Sequence, residues 1–247
     1  RNRRPGQRHG PNSRRDALTG RETDDVKAEF WQERWEANQL GFHQNEVNDL
    51  LKRHWKALNV PAEKTAFVPL CGKSLDMRWL REQGHPVLGV ELSPIACRDF
   101  FAEAGTPASQ GTTGQFESYA AEGYKLYCGD FFNLTRKDLA EVGGVFDRGS
   151  LVALPPELRR RYATHMAEIL PDGAQILLLT VDYDQSEMKG PPHSVPYDEV
   201  ASLFEKSFTL DRLGQKGPSD PPPPFKARGL SSISESICRL ERRNRPA

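Results

Sequence analysis

Four apolar runs, set apart by segments of helical periodicity, constrain this chain more than any other feature. "TAFVPL" (65–70), "PVLGVE" (86–91), "YKLYCGD" (124–130) and "AQILLLTVD" (174–182) read as strands. Near-continuous hydrophobicity in the last of these marks a strand covered on both faces. Between them lie three helical stretches. One runs from Ser74 to about Gln83. The second, "SPIACRDFFAEAG", opens with Ser93 as N-cap and Pro94 at the first helical position, and closes on glycine. The third is "PPELRRRYATHMAEIL", with a proline start. Strand and helix alternating in this way imply an α/β fold: a mostly parallel sheet with helices on both faces. "GLSSISESICRL" (229–240) alternates like an antiparallel C-terminal strand at the sheet end. "GQKGPSDPPPPFKARG" (214–229) reads as a loop because of its proline and glycine content.

The chain of 247 residues suffices for one sizeable domain with a real core, expected over 26–247. Within it, Phe30, Trp31 and Trp35, then Leu50, Leu51 and Trp55, recur at helical spacings, so two short helices flank "NQLGFHQN". Residues 1–25 read as a disordered arm: the first fifteen hold six arginines and no acid. Such a start resembles a transit peptide, but no apolar helical face accompanies it, and a solvated tail is the reading adopted. Lysine plus arginine balance aspartate plus glutamate at 34 each, which argues against nucleic acid as a partner. No apolar run reaches the roughly 20 residues of a membrane helix, and no secretory signal is visible. Cys71, Cys97, Cys128 and Cys238 are scattered without a CxxC pair, which suits a reducing, cytoplasmic compartment and argues against zinc.

In an open parallel sheet, ligands bind beyond the carboxyl ends of the strands where strand order reverses. "LCGK" falls at such an end, with Leu70 closing the first strand and Gly72 allowing close backbone approach. About twenty residues on, Glu91 ends the second strand, where a carboxylate can accept both ribose hydroxyls of a nucleoside. Asp130 ends the third, placed to accept from an adenine amino group, with Phe131 to cover the ring. A dinucleotide needs a glycine-rich turn for its pyrophosphate, and a phosphate-binding loop needs a longer glycine span before Gly-Lys-Ser. A single glycine suffices for a ligand with ribose and adenine but no phosphate, and S-adenosylmethionine fits that description. Glu91 as an ordinary charge at a strand end is the bland alternative.

"FWQERWEANQLGFHQN", "FVPLCGKSLDMRWL", "GHPVLGVELS", "DRGSLVAL" and "GPPHSVP" resemble the thiopurine S-methyltransferase family, from about Phe30 to Pro196 and more loosely to Leu240. The resemblance implies a Rossmann-like class I methyltransferase fold, S-adenosyl-L-methionine as methyl donor and a sulfur or selenium acceptor. By the same resemblance Trp31 and Trp35 match two tryptophans of an N-terminal segment (26–60) that closes over the cofactor, and Phe42 an aromatic that touches the acceptor. Leu70 matches a loop contact to the cofactor, Glu91 the ribose acid, and Asp130 and Phe131 the adenine pair. Arg148 matches the arginine beside the methyl-transfer site. Family members carry a longer apolar strand before "DRG"; here only "GGVF" precedes Asp147, so that strand is expected to be shortened.

The expected reaction is an in-line displacement in which the enzyme mainly aligns nucleophile and methyl group. A cation such as Arg148 favours the thiolate of a small-molecule acceptor, and neither His43 nor His193 is assigned as a base. A monomer is expected. Two alternatives stand beside this reading: a methyltransferase for halide, thiocyanate or selenium and tellurium species, and a non-catalytic cofactor-binding protein.

Overall fold

Residues of opposite parity along each central strand enter two different apolar layers, and that alternation builds the molecule. The computed structural model describes residues 28–41 and 43–245, so the expected 1–25 arm and Phe42 lie outside the described residues. Two compact units divide the chain, one ending at Gln39 and one starting at Leu40. The first contains a helix over 28–36 (α1), on which the Arg34 guanidinium lies 4.3 Å from the centre of the Phe30 ring. The expected 26–60 segment is therefore divided, because the next helix belongs to the larger unit.

That unit begins with α2 (Asp49–His54), then β1 (Thr65–Val68), α3 (Asp76–Glu82), β2 (Val87–Glu91) and α4 (Pro94–Ala102). There follow β3 (Ser109–Thr113), β4 (Phe116–Ala121), β5 (Tyr124–Cys128), β6 (Val142–Arg148), α5 (Pro156–Ile169) and β7 (Gln175–Asp182). The chain ends with α6 (Tyr197–Phe204), β8 (Phe208–Ser219), α7 (Pro223–Lys226) and β9 (Ile233–Arg242). The described strands form one sheet in the order β3-β4-β5-β2-β1-β6-β7-β9-β8. Its centre, β5-β2-β1-β6-β7, is parallel, and the outer pairs are antiparallel. β1 leads outward through β2 to β5, whereas β6 and β7 lie on its other side, so strand order reverses between β1 and β6.

One layer joins Phe67, Val145 and Leu178 to α5 and α6 through Tyr162, Met166 and Phe204. The other joins Ala66, Phe146 and Leu177 to α2, α3 and α4 through Leu51, Leu80 and Phe100. Both layers bury their strand residues almost completely, as expected of a doubly covered parallel sheet. Ser93 caps α4, its Oγ accepting the Ala96 N–H at 3.4 Å.

Three expectations are corrected. The strand before Asp147 is not short: β6 spans seven residues. Gly143 and Gly144 hide it in the sequence, and the packing explains them. A Cβ on Gly144 would lie 2.7 Å from the Trp55 ring and 2.8 Å from Val60 Cγ2. The stretch from 214 is not all loop, since β8 continues through Ser219 as an exposed edge strand against β9. Its pairing shifts register between Lys216 and Ser219, the interval that holds Pro218, and an edge with a bulge is where proline is tolerated. The third strand of the sequence reading is the last of a meander, β3-β4-β5, whose first strand is polar and exposed.

Gly144→Ala is expected to overpack the site beneath Trp55 and cost about 1–3 kcal/mol. Urea unfolding should show a lower midpoint with an unchanged slope; an unchanged midpoint would mean that Trp55 does not hold this strand down.

Candidate active site

The first strand stops at Val68, and the chain then turns sharply through Leu70 at φ +43 and Gly72 at φ +53. A leucine in the left-handed region costs roughly 1 kcal/mol or more and persists only where its surroundings hold it. Here the Cys71 N–H donates to Val90 O at 3.0 Å, and the Ser150 hydroxyl donates to Pro69 O at 2.7 Å. Glu91 completes the hold. It is 7% exposed; Oε2 accepts the Gly72 N–H at 2.8 Å and Oε1 the Ser93 N–H at 2.9 Å. Burial raises the Glu91 pKa, and the Ser93, Gly72 and Leu92 N–H groups oppose the rise. Each carboxylate oxygen still has accepting capacity left over. The two acceptor oxygens therefore suit a vicinal diol such as a ribose.

Cys128 pairs with Glu91 across the β2–β5 ladder, so the end of β5 adjoins this carboxylate. Two residues on, Asp130 is exposed and caps a short 3-10 turn, Oδ1 accepting the Phe132 N–H at 2.9 Å. Phe131 follows directly at the start of that turn. Its side chain is 5% exposed, stacked on Tyr162 at 4.8 Å between centroids and edge-on to His165.

Beyond the switch point stands Arg148, the last residue of β6 and half-buried. Alternation along β6 sends it to the face of Phe146, whereas Asp147 shares the face of Val145. The Asp147 carboxylate is taken up there by the Tyr162 hydroxyl at 2.8 Å and by the Ser150 and Leu151 N–H groups, both at 3.3 Å. Burial lowers the Arg148 pKa, and Asp76 and Glu235 support its charge. His43 belongs to the same edge: burial lowers its pKa first, with Lys73 and Arg148 adding to the effect and Glu103 and Asp76 opposing it.

Leu70, Gly72, Glu91, Asp130 and Arg148 thus lie along the carboxyl edge of β1, β2, β5 and β6. Trp31 and Trp35 lie one turn apart on α1 in the separate unit, Trp31 meeting Phe30 edge to face at 5.3 Å. Two features escaped the sequence reading. Asp76 is 2% exposed behind the cofactor loop. Arg228 donates to Pro191 O at 2.9 Å and to Gly190 O at 3.2 Å, pinning the "GPPHSVP" segment. A cavity of about 480 Å³ opens beside that segment, lined by Arg159, Gln185, Lys189, His193 and Glu199 among others.

The model of the family described as thiopurine S-methyltransferase matches residues 26–243. The chain belongs to the thiopurine S-methyltransferase family. A thiopurine S-methyltransferase of Nitrosospira multiformis is 48% identical over 215 residues, covering 87% of this chain and 98% of that one. That of Marinobacter nauticus is 43% identical over 216 residues, covering 87% and 99%. Among solved structures, the Burkholderia thailandensis 1,6-didemethyltoxoflavin-N1-methyltransferase with bound S-adenosylhomocysteine matches at TM-score 0.58 and 15% identity, over 91% of this chain and 90% of that one. A methyltransferase of Anabaena variabilis matches at 0.58 and 12%, over 87% and 95%. These likenesses show the fold: it is the Rossmann-like class I methyltransferase fold. The family member is an S-adenosylmethionine-dependent S-methyltransferase, and the spare accepting capacity of the Glu91 carboxylate is compatible with the ribose of that cofactor.

Glu91 must be ionised to accept two hydroxyls. Its pKa lies above the ordinary 4.5, so affinity is full above that raised value and falls as pH drops through it. Calorimetry with S-adenosylhomocysteine should show this loss at a higher pH than an ordinary glutamate gives. Glu91→Ala should weaken binding about ten- to a hundredfold and abolish the pH step. An unchanged dissociation constant would remove Glu91 from the site.

Proposed function

We propose that this methyltransferase acts on the sulfur of thiopurines or other aromatic and heterocyclic thiols, with Arg148 as the residue that favours the reacting thiolate. The carrying observation is the position of Arg148: a half-buried cation at the carboxyl end of β6, across the switch point from the loop that Glu91 holds. The names of the relatives support the acceptor class.

When bound, S-adenosylmethionine supplies a methyl group already activated on a sulfonium sulfur. The chain's own residues then have three tasks. Leu70, Gly72, Glu91, Asp130 and Phe131 bind and orient the nucleoside, with Phe131 held against Tyr162 beside the Asp130 turn. Arg148 lowers the pKa of the acceptor thiol, because a cation nearby favours its charged form. No side chain needs to act as general base if the thiol ionises with that help. Trp31 and Trp35, as residues that shield the cofactor, and Phe42, as the aromatic that meets the acceptor, enter this proposal through the family motifs alone.

A screen with methyl-labelled S-adenosylmethionine tests the acceptor: aryl thiols should be labelled far faster than iodide, thiocyanate or selenite. The reverse order would favour the small-anion reading, and labelling of none would favour a non-catalytic protein. For Arg148 the pH profile decides. Arg148→Ala should lose most activity below the pKa of the free thiol and recover toward wild type above it. Arg148→Lys, which keeps the charge without the planar fork, should lie between. A pH-independent loss matched by a lower melting temperature would leave Arg148 a structural brace only.

A further inference from the structure

Asp76 is a deeply buried acid that none of these tasks uses. It opens α3, and its carboxylate faces two neutral donors. Oδ1 accepts the Asn48 N–H at 2.8 Å, from a residue 28 positions earlier. Oδ2 accepts the Ser74 hydroxyl at 2.9 Å, and Ser74 Oγ accepts the Asp76 N–H at 3.2 Å. Asn48 is in turn the N-cap of α2, its Oδ1 accepting from Leu50 N–H at 2.9 Å. One carboxylate therefore fixes the 43–48 segment to the loop that carries Gly72.

Those two hydrogen bonds do not explain the charge. An asparagine could make both, its amide group donating to Ser74 Oγ, and would be far cheaper to bury. What asparagine lacks is the field. Asp76 opens the helix that packs, through Met77 and Leu80, on the Phe146 face of the sheet, the face to which β6 sends Arg148, and there it supports the Arg148 charge together with Glu235. Glu235 is partly occupied by Lys216, 3.8 Å away, and Lys73 by Glu103.

We propose that Asp76 is a positioning residue for methyl transfer: it locks the 43–48 segment to the cofactor loop and, as the buried counter-charge of Arg148, sets how strongly that cation acts on the acceptor thiol. The second half rests on the role proposed above for Arg148; the first does not.

The two halves separate in two variants of the full chain, assayed for S-adenosylhomocysteine affinity, acceptor KM and the pH profile of kcat/KM with one aryl thiol. Asp76→Asn keeps the hydrogen bonds and removes the charge. Arg148 then acts unopposed by Asp76, with Glu235, His43, Lys73 and Glu103 as the other charged or titratable neighbours of this edge. The thiol pKa falls, so the acid limb of the profile moves to lower pH while cofactor affinity holds. Asp76→Ala also frees the Asn48 N–H, and acceptor KM should rise about tenfold, the effect of one lost hydrogen bond to a charged group. An unmoved limb in Asp76→Asn overturns the electrostatic half, and a fall in cofactor affinity that parallels the loss of turnover in both variants overturns the positional half. Should Asp76→Ala fail to fold, Asp76→Asn decides the electrostatic half, and Ser74→Ala, which removes the loop's hydroxyl from the carboxylate, decides the positional half by the same rise in acceptor KM. If Arg148→Ala also leaves the limb unmoved, the reading of Arg148 is at fault, and the KM effect of Asp76→Ala still stands or falls by itself.

Discussion

The site depends on one carboxylate at the end of one strand. Glu91 reaches from β2 to the turn after β1 and takes the Gly72 and Ser93 N–H groups on its two oxygens. Without an acceptor at that point, two backbone donors would lose their partners and the left-handed turn at Leu70 would have less to hold it. The strand that delivers Glu91 is shaped to the same end. A Cβ on Gly89 would lie 2.7 Å from Cys71 Sγ and 3.2 Å from Met77 Sδ, so the glycine makes room for the loop to fold back on the sheet. Burying the carboxylate carries a desolvation penalty, visible as its raised pKa, and the backbone donors offset part of it.

Parallel topology then sorts the chemistry. β2 and β5 on one side of β1 bring Glu91 and Asp130 to the nucleoside half of the edge. β6 on the other side brings Arg148, with Asp76 and Glu235 as its countercharges. β1 lies between β2 and β6, so Glu91 and Arg148 stand two strand spacings apart along this edge, roughly 10 Å. Adjacent residues on β6 are separated too. Asp147 turns to Tyr162 in the core, which leaves Arg148 on the opposite face of the strand.

The central fold was legible because strands buried on both faces write themselves as apolar runs, and glycine, proline and serine punctuate what lies between. The positions of Leu70, Gly72 and Glu91 at the strand ends were legible because fold geometry fixes where strand ends point. Other parts left no such trace. β3 and the outer part of β8 are exposed at the sheet edges, so their side chains carry no alternation with burial. β6 looked short because two of its residues are glycines, a choice dictated by Trp55, Val60 and Lys64 from distant sequence positions. The stacking of Phe131 on Tyr162, on a helix 31 residues later, leaves no local pattern either. The link from Asp76 to Asn48 spans 28 residues and follows no local pattern.

A crystal structure of the complex with S-adenosylhomocysteine tests the central claim most directly. It should show both ribose hydroxyls within hydrogen-bond distance of the Glu91 carboxylate, with the Gly72 N–H still held and Arg148 on the side of the ligand sulfur. A ribose bound elsewhere, or a Glu91 swung clear of Gly72 with the nucleoside seated without it, would contradict this account of the site.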